Sequence, residues 1–319
     1  MSLYRSVRAV TGASGTGAID WDAVAEAACA STDPGALDLS ETEREGYAAD
    51  VREARAAVSA VGDVDFDVPR TVEIQNRHHW IDANVETFSR VMRPLEEHTE
   101  VALPGVSRVL NTGTMSFMLA FLGRNVLGQY DPLLLAEGED TDHALYFVHP
   151  NIRSVADTLD VEYERFRRWI AFHEVTHAAE FGAAPWLSDH LEAQMEDGIE
   201  TLAGGRLDRE SFRELDATMT VVEGYAELLM DHAFDGEYAD LRAKLDARRQ
   251  GRGPIASFVR RALGLGVKRR QYERGKAFFE RVADQRGVEA ANAVWDGPEN
   301  LPSDAELDDA DAWLRRVDP

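Results

Sequence analysis

The sequence predicts a mainly α-helical α+β fold with a small sheet. Three observations carry this expectation. Apolar residues recur at three- and four-residue spacing over several long segments, only one short run reads as a strand, and no internal repeat is visible. With 44% hydrophobic residues in 319, the chain can bury a substantial core, which excludes whole-chain disorder.

The elements follow in order. Residues 1–18 are rich in Gly, Ser and Thr and read as a flexible arm, after which Ala18-Ile19-Asp20-Trp21 opens the folded region with Asp20 as an N-cap. The acidic stretch from Ser31 to Gly46 reads as a surface connection or an irregular helix start. Trp80, Ile81, Val85, Phe88 and Val91 give helical spacing over residues 77–95, and residues 115–127 repeat it. Leu145-Tyr146-Phe147-Val148 is short, β-favouring and ended by His149-Pro150-Asn151, so it is the expected strand. A helix over about residues 161–181 is stopped by Gly182 and Pro185, and a second long helix covers about 211–234. Residues 19–319 then read as one domain in three consecutive parts. A helical part runs to about 105, a core spans about 106–235, and a basic helical part occupies about 236–319.

The charge is extreme, with 58 acidic residues against 34 basic ones and a formal net charge of −24. Such a balance argues against nucleic acid as a partner of the whole protein. The only lysines are Lys244, Lys268 and Lys276. An acidic, lysine-poor surface fits work in concentrated salt, where repulsion is screened over a few ångströms. Cys29 is the single cysteine, which excludes an intrachain disulfide and a thiolate-rich metal site. Neither a signal-peptide core nor an unbroken membrane-spanning run is present, so a cytoplasmic protein is expected.

The chemistry lies in Phe172-His173-Glu174-Val175-Thr176-His177. Two histidines four residues apart on a helix stand on one face and can meet one ion, with Glu174 beside the open coordination position as general base. A chain of this composition holds such a string by chance about once in fifty. Context adds to it, because the apolar stripe of Phe166, Trp169 and Ile170 runs into His173 and His177 and places them on the buried side. The spacing of a metzincin is absent, since Glu stands at 180 and Ala at 183. A third ligand must come from elsewhere. On the helix after Ser211, an apolar stripe through Leu215, Met219, Val222 and Ala226 includes Glu223, and a buried carboxylate is costly unless a cation meets it. Glu227, one turn on, is either an acceptor for the outer N–H of a ligand histidine or a solvated helix edge. Asp231 and His190 are reserve candidates for supporting or substrate contacts.

At these residues the chain resembles a zincin-like, zinc-dependent metalloprotease family, whose members are labelled hydrolases or associated with deazaflavin-coenzyme biosynthesis. The resemblance includes Ile19-Asp20-Trp21, Val126 through Asp131, Val148-His149-Pro150-Asn151, His173 through His177, Pro185-Trp186-Leu187 and Glu223 through Glu227 with Met230-Asp231. It continues through Lys268 to Tyr272, Asn292 to Trp295 and Leu301-Pro302, and so covers nearly the whole chain. It implies a gluzincin-type fold in which the active-site helix packs against the helix bearing Glu223. It also implies one Zn²⁺ per chain and a peptide or amide substrate cleaved with Glu174 as base. Tyr225 stands where many relatives carry His, which leaves a role in transition-state stabilisation open to it.

Between Leu241 and Lys276 twelve basic residues face two acidic ones. This segment reads as arginines paired with nearby acidic helices, or as an anion site, with Tyr272 as a candidate oxyanion donor. The alternative to an enzyme is a scaffold with a structural zinc and this basic segment as its anion-binding surface. The charge pattern makes one prediction. Dialysis from molar salt into low salt should unfold or inactivate the protein, as followed by circular dichroism; a chain equally folded and active after prolonged dialysis overturns the salt-adapted reading.

Overall fold

The computed structural model describes residues 2–15, 17–64, 66–98, 104–131, 143–203, 211–234, 238–249 and 265–319. Within those spans the side chains of 2–3, 94–95, 97–98, 104, 199–200, 202–203, 211–212, 246–249 and 265–272 lie outside the description. In chain order the described elements are α1 (Ser2–Thr11), α2 (Trp21–Ser31), α3 (Glu41–Gly62), β1 (Thr71–Gln75), α4 (Arg77–His98), α5 (Pro104–Asn125), β2 (Gly128–Asp131) and β3 (Ala144–Val148). They continue with α6 (His149–Leu159), α7 (Tyr163–Ala183), α8 (Leu187–Ala203), α9 (Ser211–Ala233), α10 (Ala239–Arg249), α11 (Leu265–Arg286) and, after three short 3-10 turns, α12 (Ala310–Val317). The fold is mainly helical with one small sheet, as expected. No described helix is long and apolar enough to cross a membrane.

Contacts divide the chain into two compact units, each discontinuous in sequence. Segments of the two units alternate along the sequence. The first unit comprises Met1–Arg44, Pro69–Ala156 and Glu196–Asp208. Its sheet has the order β1-β3-β2, with β1 parallel and β2 antiparallel to β3. Val72, Leu145 and Tyr130 lie side by side across the sheet. The expected strand is thus the central one, buried at four of its five positions. The two edge strands escape sequence reading because their outer faces are partly exposed and their runs are short.

Beside the sheet, Val24 and Ala28 of α2, Trp80 and Ile81 of α4, and Met115, Leu119 and Ala120 of α5 share one core with Val148. Asp20 caps α2, accepting from the Ala23 amide at 3.0 Å. The Trp80 indole donates to Gln129 Oε1 at 2.7 Å, fixing β2 to α4. Asn151 donates to the carbonyls of Gly123 and Val126, which satisfies groups left open at the end of α5. Residues 2–11, read as part of a flexible arm, form a helix instead. Alone, ten residues would be marginal; here α1 buries Ala9 and packs on α2.

The second unit comprises Glu45–Val68, Asp157–Met195 and Arg209–Pro319. α7 lies at its centre and is buried nearly all round, from Phe166 through Glu180. α3 is joined to it by a buried pair in which Arg167 Nε donates to Asp50 Oδ2 at 2.6 Å. Trp169, Phe172, Phe234 and Tyr238 stack on one side of α7. α9, buried without a break from Thr220 to Met230, packs against both α7 and α11. Where α9 crosses α11 the backbones touch. A Cβ on Gly275 would lie 2.2 Å from the Thr220 carbonyl oxygen, and one on Gly224 would lie 2.4 Å from the Gly275 carbonyl carbon.

Two outcomes follow from this packing. Gly275→Ala should lower stability by about 1–3 kcal/mol in urea unfolding, against Ala's better helix propensity, because backbone atoms block the methyl group. Gly105→Ala, with nothing within 4 Å of the added atom, should change it by no more than about 0.5 kcal/mol. In the first unit, burial and the neighbouring Asp82 carboxylate push the Cys29 thiol up to about 12. Alkylation of the folded protein by iodoacetamide at pH 8 should run at least about a hundredfold slower than that of the urea-unfolded chain, and equal rates would refute this.

Candidate metal centre

The centre is built by two helices of the second unit. On α7 the i, i+4 spacing stacks His173 and His177, with ring centroids 4.7 Å apart and planes at 75°. α9 faces them with Glu223, and one ligand atom from each of the three residues lies within 4.8 Å of the others. The nearer measured pair is His177 Nε2 to Glu223 Oε2 at 4.0 Å. Donors around tetrahedral zinc sit roughly 3.4 Å apart, so small side-chain rotations bring this set onto one ion. The rotation of α9 that aims Glu223 at α7 follows from the next residue. Gly224 lies about 100° further round the helix and is held against the α11 backbone.

Charge at this point favours a cation. Glu174 and Glu223 are 6% and 5% exposed, and Glu180 is fully buried. Burial alone would lower the His177 imidazole, but the charges of Glu180, Glu223 and Glu174 outweigh it and push it up to about 9. Desolvation raises Glu180 to about 7, against the stabilising pull of His177. His177 Nδ1 lies 2.8 Å from Glu180 Oε2, which leaves Nε2 as the ring atom facing Glu223. A nitrogen, nitrogen, carboxylate donor set with an adjacent glutamate fits zinc, and nothing here resembles the all-oxygen cage of calcium or magnesium.

Residues 19–206 and 203–314 match the zincin-like metallopeptidases. The chain belongs to this family. A solved structure of a candidate hydrolase with a novel fold from Chloroflexus aurantiacus is 32% identical, with a TM-score of 0.78 over 94% of this chain and 99% of that one. None of the curated proteins matches. The packing of α7 on α9 is the arrangement that the resemblance to this family implies.

The other residues singled out from the sequence are dispersed. Tyr225 turns its hydroxyl into the core, donating to Asn292 Oδ1 at 2.7 Å between the rings of Phe279 and Trp295, where burial pushes its pKa up. Glu227 pairs with Arg242, and Asp231 pairs with both Arg242 and Lys276. For His177 the acceptor of the outer N–H is Glu180, a residue that sequence reading met only as a departure from the metzincin spacing. It could have been found, since position 180 lies three residues beyond His177 on the same buried stripe. His190 lies 3.1 Å from Gln194 and lines a separate cavity of about 730 Å³ with Arg213, Glu214, Thr218 and Pro302. On α9 Glu214 is about half a turn round from Glu223, so this cavity opens off the opposite face. The Tyr272 side chain lies outside the described residues, as does the middle of the basic segment. The described basic residues at its ends are engaged: Arg242 as above, Lys244 on the Asp160 carbonyl, Arg274 with Asp304 and Asp308, and Lys276 with Asp231.

Proposed function

We propose that the chain is a zinc-dependent metallopeptidase, with one Zn²⁺ held by His173, His177 and Glu223 and a peptide or amide bond as its target. The observation that carries this reading is the convergence of those three donors on one point, with Glu174 next to the first of them and shielded from solvent. Zinc in such a donor set supplies acidified water and a polarised carbonyl. The remaining work falls to the chain. His173 and His177 offer ring nitrogens from a buried helix, which fixes the donors before substrate arrives. Glu223 adds a negative donor whose burial is otherwise unfavourable. Glu174 takes a proton from the attacking water and returns it to the leaving amine, a role suited to a carboxylate that bulk water reaches poorly. A salt-adapted surface belongs to the same proposal, supported by the charge balance, and a cytoplasmic site of action is proposed with it.

The test uses the purified protein in high salt against a peptide library. Wild type should carry about one zinc per chain, and Glu174→Gln should keep it while hydrolysis falls by about 10²–10⁴-fold. His177→Ala should lose the metal. Hydrolysis unchanged in Glu174→Gln would make the zinc structural, and metal-free wild type with undiminished activity would sink the proposal altogether.

A further inference from the structure

We infer that Glu180 is a positioning residue for the ligand His177, holding the imidazole as the Nδ1–H tautomer so that unprotonated Nε2 points at His173 and Glu223. This rests on the proposed zinc site. Glu180 has no exposed surface, and its Oε2 lies 2.8 Å from His177 Nδ1. Its other oxygen has no hydrogen-bond partner among the described residues. A carboxylate is an expensive occupant of such a position, where burial raises its pKa and the neighbours are His177, Glu223 and the Ala226 backbone of α9. An apolar side chain would pack there at less cost.

The hydrogen bond to His177 runs between residues three apart on one helix, while across to α9 the carboxylate meets only the backbone N–H of Ala226. Pairs of that kind add only about 0.2–0.5 kcal/mol to a helix, far less than the burial of a charge takes away. What the bond does control is the ring. A carboxylate on Nδ1 selects the tautomer, stops the imidazole from turning about its χ2, and makes Nε2 a stronger donor. The orientation agrees with this, since Nε2 is the atom measured toward Glu223 at 4.0 Å. The function of Glu180 is therefore exercised through His177, without contact to substrate.

The experiment measures zinc affinity of the metal-stripped protein by chelator competition, together with thermal unfolding of the same apo samples. Glu180→Leu should weaken zinc binding about 10–100-fold, a loss separate from whatever the change does to apo Tm. Glu180→Gln, whose amide oxygen still accepts from Nδ1, should stay within a few-fold of wild type. Zinc affinity unchanged in Glu180→Leu, with or without a fall in Tm, overturns the inference, and so does an equal loss in Gln and Leu variants. If wild type binds no zinc and His177→Ala makes no difference, the zinc reading fails and the inference falls with it. Wild-type binding abolished by His177→Ala but untouched by Glu180→Leu overturns the inference alone.

Discussion

The second unit depends on one close approach, the crossing of α9 and α11 at Gly224 and Gly275. Two glycines let the helices touch through their backbones, and no larger pair of residues would allow that separation. A contact so tight leaves α9 no freedom to rotate. Glu223, the neighbour of Gly224, is thereby committed to the α7 side, where it meets His173 and His177. A ligand set drawn from two helices is only as good as the phase between them, and here a steric constraint sets that phase.

Electrostatics then constrains what the crossing has brought together. Glu174, Glu180 and Glu223 are withdrawn from water around two imidazoles, in a protein that already carries a net charge of −24. Self-repulsion of this order is tolerable on a surface screened by salt, but not in a core. The carboxylates inside the second unit accordingly have positive partners. Arg167 meets Asp50, Arg242 meets Glu227 and Asp231, and at the centre the imidazoles and the expected zinc serve the same purpose. The basic segment between Leu241 and Lys276 fits this scheme where it is described, with Arg242, Arg274 and Lys276 spent on acidic neighbours. Those described residues read less as a free anion site than as the counterweight to acidic neighbours.

The cavity beside His190 has a different position. It opens off the face of α9 away from Glu223 and is walled by Pro298, Pro302 and the 3-10 turns of the C-terminal region. Three of its ionic groups are paired, Arg316 with Glu306 and Asp304 with Arg274 from outside the lining. The candidate metal centre, by contrast, brings ligand atoms of His173, His177 and Glu223 within 4.8 Å of one another, close enough to share one cation.

Much of this was legible in the sequence. Helical periodicity gave α4, the second half of α5, and α7 and α9 to within a few residues, but not α3, α8 or α11, and the run 145–148 gave the central strand. Spacing alone placed His173, Glu174 and His177 on one helix face, because that geometry is local. Glu223 was readable as well, since a carboxylate on an apolar stripe announces a partner even before the partner is known. The edge strands were not readable, as pairing across a sheet leaves little pattern in short, half-exposed runs. Neither was the helix at 2–11, which owes its stability to α2. Glu180, three residues beyond His177 on the same helix, was open to the same local reading, whereas tertiary structure alone decided that Glu227 goes to Arg242. It also decided that Tyr225 belongs to the core. The reason is the same in each case: a side chain's direction along a helix follows from the sequence, but its neighbour depends on how helices far apart in the chain are phased against one another.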